Sequence, residues 1–435
     1  MSEGPRRIGP LLATVLVAGN MIGSGLYLLP ASMAATGGIS VIGWVICSAG
    51  SLLIAGVFAF LAVVRPGVDG VVTYAGALHP ALGFASWLSY WTSGWVGNIA
   101  VALAAVGYLT VFFPSLAVPL VGLLAAICIT WATALASVAG PRLTASLSGM
   151  TLIVGLIPIA FATTLGLAHF DASLFAASWN VSGKPASQVI PASLTPIMWA
   201  FLGLESANVA AAVVDNPRRN IPVAALGGVA LASVVYIAAN VAALGVLPAK
   251  TLAASTAPFA DMVTHLAGWG AGAVVAVCAA LKACGTLAGF ILVTAESGRA
   301  GAASGFLPRQ LSEIDPARRP VRDVLLVAVL MSLVTLASLS PTLGKQFNTL
   351  SNIAVVFFLA VYALCAMALI TATFAIVDPR TRWAARVIAG LALVFCVATM
   401  ISSDQSVTRP AFILMAISLP LWGLIRLRQR MIAPA

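Results

Sequence analysis

The feature that most constrains this 435-residue chain is a recurrence: apolar runs of about 20 residues return along its whole length, almost free of charge. A helix rises about 1.5 Å per residue, so each run is long enough to cross the ~30 Å hydrocarbon layer of a bilayer. A closed barrel would need alternating strands instead. With 61% hydrophobic and 8% charged residues, against roughly a quarter charged in a soluble domain, water is not the main solvent of the fold. The pattern predicts an all-α membrane protein of about twelve spans, over 10–30, 38–63, 81–111, 116–137, 147–168, 191–213, 223–246, 269–295, 323–341, 347–376, 384–403 and 408–426.

Charge tests that reading, because cytoplasmic connections collect Lys and Arg. With the N-terminus inside, 17 of the 22 basic residues fall on the inner side, from Arg6 and Arg7 to Arg430, and only Lys184, Lys250, Lys345 and Arg409 fall outside. Lys282 alone lies within a span. An even number of spans with both termini cytoplasmic follows, with residues 1–9 and 427–435 as the cytoplasmic ends. The net charge of +10 then reflects topology and the anionic inner leaflet of the surrounding lipid bilayer, and a nucleic-acid partner has no basic soluble domain to bind. Arg6-Arg7 before an apolar run and Ala31-Ser32-Met33 after it resemble a secretory signal, but the run is long and interrupted by Asn20, Gly23 and Gly25, so it is read as the first span.

Cys47, Cys128, Cys278, Cys284, Cys365 and Cys396 all sit in apolar spans without a CxxC pair, as small core residues do. His79, His169 and His265 lie in or beside loops. Neither a metal site nor a cofactor site is expected, and no catalytic constellation is visible.

The first span carries Gly19-Asn20-Met21-Ile22-Gly23-Ser24-Gly25 at mid-depth. Such a cluster invites unwinding, since Gly costs about 1 kcal/mol against Ala in a helix interior. It also contains a Gly19/Gly23 GxxxG pair, which close helix packing would explain equally well. The sixth span favours unwinding, because it too places Gly203 beside polar residues at mid-depth, in Trp199-Ala200-Phe201-Leu202-Gly203-Leu204-Glu205-Ser206. Interrupted helices five spans apart are the mark of two inverted five-helix repeats with a site between them, the architecture of the leucine transporter. The repeats would be 10–168 and 191–376, followed by two further helices over 384–426. Unwound backbone frees N–H groups for a carboxylate and carbonyls for an ammonium.

Glu205 is the most informative residue. An acid in mid-span must be paired, protonated or wet, and a packing role through a Ser or Tyr partner competes with a role in transport. Trp199, six residues earlier, is either a cap on a bound cation or an ordinary core aromatic. Lys282 either snorkels to the external interface or faces the bundle as a fixed positive charge on the pathway. The connection 297–322 is too short for a domain and reads as an amphipathic cytoplasmic connector.

At these residues the chain resembles the amino acid–polyamine–organocation superfamily, and within it the basic amino acid/polyamine antiporters. Gly19 to Gly25 with Leu29-Pro30-Ala31 is similar to their first helix, Trp95-Val96-Gly97-Asn98-Ile99-Ala100 to their third, and Trp199 to Ser206 to their sixth, followed by Asn216-Pro217-Arg218-Arg219-Asn220-Ile221-Pro222. The resemblance implies a secondary transporter in a bacterial inner membrane that exchanges a basic amino acid for an amine or amino acid by alternating access, without a cofactor. It implies that Ser24 and Gly25 hold the substrate carboxylate, and the carbonyls of Met21, Trp199 and Leu202 its α-ammonium. Asn98 would face the side chain and Trp199 would close the external side, while Tyr90, Glu205 and Tyr362 form the cytoplasmic gate and proton-coupling cluster. Phe290 and Ala354 depart from the arginine/agmatine pattern, where Trp and a small hydroxyl residue are usual, and make the distal pocket more apolar. That leaves open a symporter or exporter of neutral amino acids. A membrane-embedded enzyme or a channel would need a catalytic constellation or a charged ring, neither of which the spans carry. A homodimer is compatible with the sequence.

Overall fold

The long apolar runs are helical in the computed structural model, which describes residues 9–65, 70–139, 141–205, 215–312 and 321–432. Among them run seventeen α-helices and no strand. In chain order these begin with α1 (Pro10–Met21), α2 (Ser24–Ala34), α3 (Ser40–Val64), the short α4 (Val71–Gly76), α5 (Pro80–Leu109), α6 (Pro119–Ala139), α7 (Pro141–Ala168), the short α8 (Ala172–Ala177) and α9 (Ala186–Met198). They continue with α10 (Pro217–Val246), α11 (Ala249–Ala254), α12 (Pro258–Ala267), α13 (Trp269–Ala303), α14 (Val321–Ala337), α15 (Leu343–Ala372), α16 (Pro379–Ser402) and α17 (Gln405–Ile432).

Nine of the helices are long and apolar enough to cross a membrane. The remaining expected spans are those that the sequence marked as broken, α1 with α2 and α9 with the turn after it, together with the 17-residue α14. Several helices start earlier than hydropathy placed them, because Pro opens them: α10 begins at Pro217 rather than near 223, and α16 at Pro379 rather than near 384. Proline is pre-organised for the first turn, where its missing N–H costs nothing, so the polar residues that hide the start from a hydropathy window belong to the helix. The connector expected over 297–322 is shorter than that, since α13 runs on to Ala303, carrying an Arg299–Glu296 ion pair of 2.7 Å. Residues 313–320, and 206–213 of the sixth expected span, lie outside the described residues.

α5 is the centre, with α13 and α15 packed along it; α6 and α7 cover α13, α3 and α16 cover α15, and α10 packs on α1, α3 and α7. α17 stands at the edge, with Ile413, Leu424 and Leu427 more than half exposed, a surface suited to lipid. Small residues allow the central helices to approach: Gly94 of α5 faces Thr294 of α13, and Gly301 faces the Trp87 ring. Arg65, Arg219, Arg299, Arg322, Arg380 and Arg382 fall at or near helix ends, and spans that alternate in direction across a bilayer put these ends on one side, here termed the basic end.

The first break is tight. Gly23 N–H donates to the Met21 carbonyl at 2.6 Å across Ile22, whose φ of −72° and ψ of 68° make an inverse γ-turn. Gly19, meanwhile, lies against Leu152, so the same glycines serve both unwinding and close packing. At the second break α9 tightens into a 3₁₀ turn, Trp199–Phe201, Leu202 becomes extended, and Gly203 takes a φ of +94°, a left-handed conformation that favours glycine. Aromatic side chains hold the breaks in place. Tyr236 donates to the Ala200 carbonyl at 2.8 Å and stacks edge-on against Phe201, with Trp44 beside both rings. Tyr108 donates to the Tyr27 carbonyl at 2.8 Å, and Tyr27 to the Gly155 carbonyl at 3.1 Å. Tyr236→Phe would leave the buried Ala200 carbonyl without its donor, at a cost of about 1 kcal/mol. A lower thermal unfolding midpoint in detergent is expected, and an unchanged midpoint would show that the turn does not depend on this bond.

Candidate functional site

The two breaks meet at one cavity of about 100 Å³ between α5, α13 and α15. Helical spacing builds its walls. Tyr90, Gly94, Gly97 and Asn98 follow one face of α5, and Phe290, Val293, Thr294 and Ser297 one face of α13, at the three- and four-residue steps that align side chains along a helix. Met21 and Gly23 come from the first break, Trp199, Leu202, Gly203 and Glu205 from the second, and Phe358 from α15. The volume is well below the ~300–1,000 Å³ of a drug-sized pocket, so only a small ligand fits.

The structure therefore brings Met21, Asn98, Trp199, Leu202, Phe290, Tyr90 and Glu205 onto one lining. Ser24 opens α2 with Gly25 next to it, at the N-terminal end of a half-helix directly after the cavity-lining Gly23; both are described for their backbone alone. Ala354 stands one layer behind: a methyl added to Gly97 would come within 3.2 Å of the Trp199 ring and 3.4 Å of the Ala354 Cβ. Tyr362 is also behind the wall, yet its hydroxyl donates to Glu205 Oε2 at 2.6 Å, and the backbone amides of Gly203 and Glu205 lie against the same carboxylate. Tyr90 makes its close contact with Phe358, edge to face at 5.4 Å, and Phe358 in turn meets Tyr362 at 5.8 Å. Glu205 is thus underlain, toward the basic end, by a continuous aromatic layer.

Lys282 lies elsewhere. It is 5% exposed, its methylene stem fills the space left by Gly155 of α7 beside the Tyr27 hydroxyl, and it lines no described cavity.

On the side away from the basic end, the Trp199 ring covers the cavity, 8% exposed, and Phe347 meets it edge to face at 6.1 Å. The Trp199 indole N–H has no protein partner and is shielded from solvent. The carbonyls at the breaks are partly used: Met21 accepts from Gly23, and Trp199 accepts a long bond from Leu202 at 3.4 Å. A carbonyl oxygen has two lone pairs, so each retains one for a ligand. Asn98 points its amide to Thr294 Oγ1 at 3.4 Å, a loose contact that a ligand can displace. Sequence reading did not single out Ser93, Gly94, Thr294, Ser297 or Phe358. The signal for them was available as the positions one or two helical turns from Tyr90, Asn98, Phe290 and Ala354. Chemically, the site offers hydrogen-bond acceptors, one carboxylate and several aromatic faces, a set that suits an ammonium group.

A family model described as amino acid permease matches residues 8–425. The cadaverine/lysine antiporter of Escherichia coli (strain K12) is 36% identical over 355 residues, covering 80% of each chain. The putrescine transporter PotE of Haemophilus influenzae is 33% identical over 370 residues, 85% of each chain, and that of E. coli K12 is 31% identical over 421 residues, 96% of each.

Gly97 keeps the cavity open beneath Trp199, so Gly97→Val is expected to overpack that contact by about 1–3 kcal/mol and to weaken ligand binding by calorimetry about tenfold or more. Unchanged affinity would separate the Trp199 ring from the ligand site.

Proposed function

The chain belongs to the amino acid permease family, and we infer from that membership together with the cavity between its two broken helices that it is a secondary transporter exchanging an amino acid for an amine or a second amino acid. Its spans make it a multi-pass membrane protein. The observation that carries the substrate class is charge: Glu205 is the one charged residue on the described cavity lining. An isolated negative group among aromatic faces at mid-depth favours a cationic ligand and disfavours an anionic one. A lysine- or ornithine-like amino acid exchanged for its decarboxylated amine fits that lining, and the relatives' own substrates are of this kind. Phe290 and Ala354 tune the distal end toward an aliphatic ammonium rather than a planar guanidinium.

The proposed mechanism is alternating access around the fixed cavity. The ammonium group takes the free lone pairs of the Met21, Trp199 and Leu202 carbonyls, while a carboxylate, when present, takes the amides of Ser24 and Gly25 at the start of α2. Asn98 turns from Thr294 to the substrate side chain. Trp199 closes one side. On the other, Glu205 with Tyr362, and Tyr90 through Phe358, form the gate, and Glu205 carries the proton that couples exchange to pH. The basic end is assigned to the cytoplasm of a bacterial inner membrane, which places both termini inside. A homodimer fits the apolar groove of about 770 Å³ between α3, α10 and α16, lined by Leu52, Phe60, Leu226 and Ile388.

Glu205→Gln keeps the shape and removes the charge. Losing one charged hydrogen bond is worth about 1.5–3 kcal/mol, so exchange in proteoliposomes is expected to fall about 10- to 100-fold and to become independent of pH, with the loss greatest for diamines in a competition panel of amino acids and amines. A variant with parental rate and pH profile would remove Glu205 from the mechanism.

A further inference from the structure

Above the Trp199–Phe347 pair, on the side assigned to the exterior, the bundle opens into a two-lobed vestibule. One lobe, about 390 Å³, lies between α2, α15 and the start of α17; the other, about 290 Å³, lies between α2, α9 and the connection after α8. They share Ser32, Ala35, Asn348 and Asn352, so the lobes lie side by side along one wall. Phe347 is on the wall of the first lobe and its ring touches Trp199, which lines the central cavity. The aromatic pair is therefore the floor of one space and the roof of the other.

The vestibule is polar where the central cavity is mostly apolar, and its charge is opposite. Lys345 lines the first lobe and Lys184 the second, both exposed, and Asp404 is the one acid on the described lining of either. Asp404 has work of its own. It accepts from the Ser406 amide at 2.7 Å at the head of α17, and the hydrogen bonds from Ser406 hold its carboxyl below the usual range, so it is ionised. Asn348 accepts from the Ser32 hydroxyl at 2.6 Å, tying α2 to α15 across the shared wall. The Asn352 side-chain oxygen, on the same wall, is shielded from solvent and has no donor. An acceptor left in that state is uncommon, and a turn of this side chain into the vestibule would let an ammonium there satisfy it.

We propose that this vestibule is an entry site for external amino acids, in which Lys345 and Lys184 take the α-carboxylate and Asn352 takes an ammonium, before the Trp199–Phe347 pair admits the substrate to the central cavity. It rests on the exchange reading above and adds selectivity by face. Two fixed positive charges attract a carboxylate-bearing amino acid and repel a diamine, which has no anionic end. An amine delivered to the exterior is thereby discouraged from returning, while the central cavity remains able to hold both. Charges of this kind act over the approach path and weaken as salt rises, because the Debye length is about 8 Å at physiological ionic strength.

The test uses the full-length protein in right-side-out and inside-out vesicles, with external L-lysine and cadaverine as probes, for the parent, for Lys184→Gln/Lys345→Gln, and for the arginine pair Lys184→Arg/Lys345→Arg. Loss of each charge at a wet site is expected to raise the half-saturation concentration for external L-lysine about fivefold, to leave or lower that for cadaverine, and to leave both values unchanged from the cytoplasmic face. The arginine pair should behave as the parent, and the difference should shrink at high salt. A glutamine variant whose external lysine-to-cadaverine ratio equals the parent's overturns the vestibule site alone, since parental exchange is intact. Equal changes from both faces overturn it in favour of a structural effect. A parent that exchanges neither probe overturns the exchange reading and this proposal with it.

Discussion

A peptide group inside a bilayer has no water to turn to, so a helix can be broken there only where protein supplies the missing hydrogen bonds or where a cavity supplies a ligand that does. The rest of this structure depends on how that constraint is met at two places. At Ile22 the backbone satisfies itself with an inverse γ-turn, and at Trp199–Phe201 it tightens to a 3₁₀ turn whose middle carbonyl is taken by Tyr236. Met21, Gly23, Trp199, Leu202 and Gly203, from the two breaks, line the space between them. In the proposed mechanism the remaining lone pairs at Met21, Trp199 and Leu202 and the amides that begin α2 bind the substrate, which would make unwinding and recognition one feature.

Charge is distributed with similar economy. Among the described residues the central cavity holds a single acid, held by Tyr362 and two backbone amides, while the vestibule above it holds two lysines and an acid already committed to a helix cap. On the proposed entry path a substrate would meet a positive field and then a negative one, separated by two aromatic rings. Electrostatic order of this kind sorts ligands along a path rather than at a point.

Much of this was legible in the sequence because its determinants are local. Runs of about 20 apolar residues announce spans, and Gly beside polar residues in such a run announces a break; both breaks are where Gly23 and Gly203 put them. Helix starts were less legible, since Pro217 and Pro379 open helices among polar residues that a hydropathy window rejects. The cavity lining was half legible. Asn98, Trp199 and Glu205 stand out as polar or bulky residues at mid-depth, whereas Ser93, Thr294 and Ser297 are ordinary in transmembrane helices, where small hydroxyls usually bond their own backbone, as Thr294 does to the Phe290 carbonyl. The vestibule was not legible at all, because Ser32, Lys184, Lys345 and Asp404 lie far apart in sequence and meet only through the packing of four elements. Lys282 shows the opposite failure: its depth was plain, but only the pairing of α13 with α7 shows that its stem occupies the gap left by Gly155.

The central claim is that one cavity, reached alternately from either side, carries two substrates in opposite directions. The most direct measurement is uptake of labelled L-lysine into proteoliposomes loaded with cadaverine, compared with the same vesicles left empty. An exchanger returns to the outward-facing state faster when loaded, so internal cadaverine should stimulate uptake by about tenfold, equivalent to about 1.4 kcal/mol off the return barrier, with one amine leaving for each amino acid entering. Uptake that is equal in loaded and empty vesicles, with no release of the internal amine, would contradict exchange and leave a transporter that moves its substrate in one direction alone.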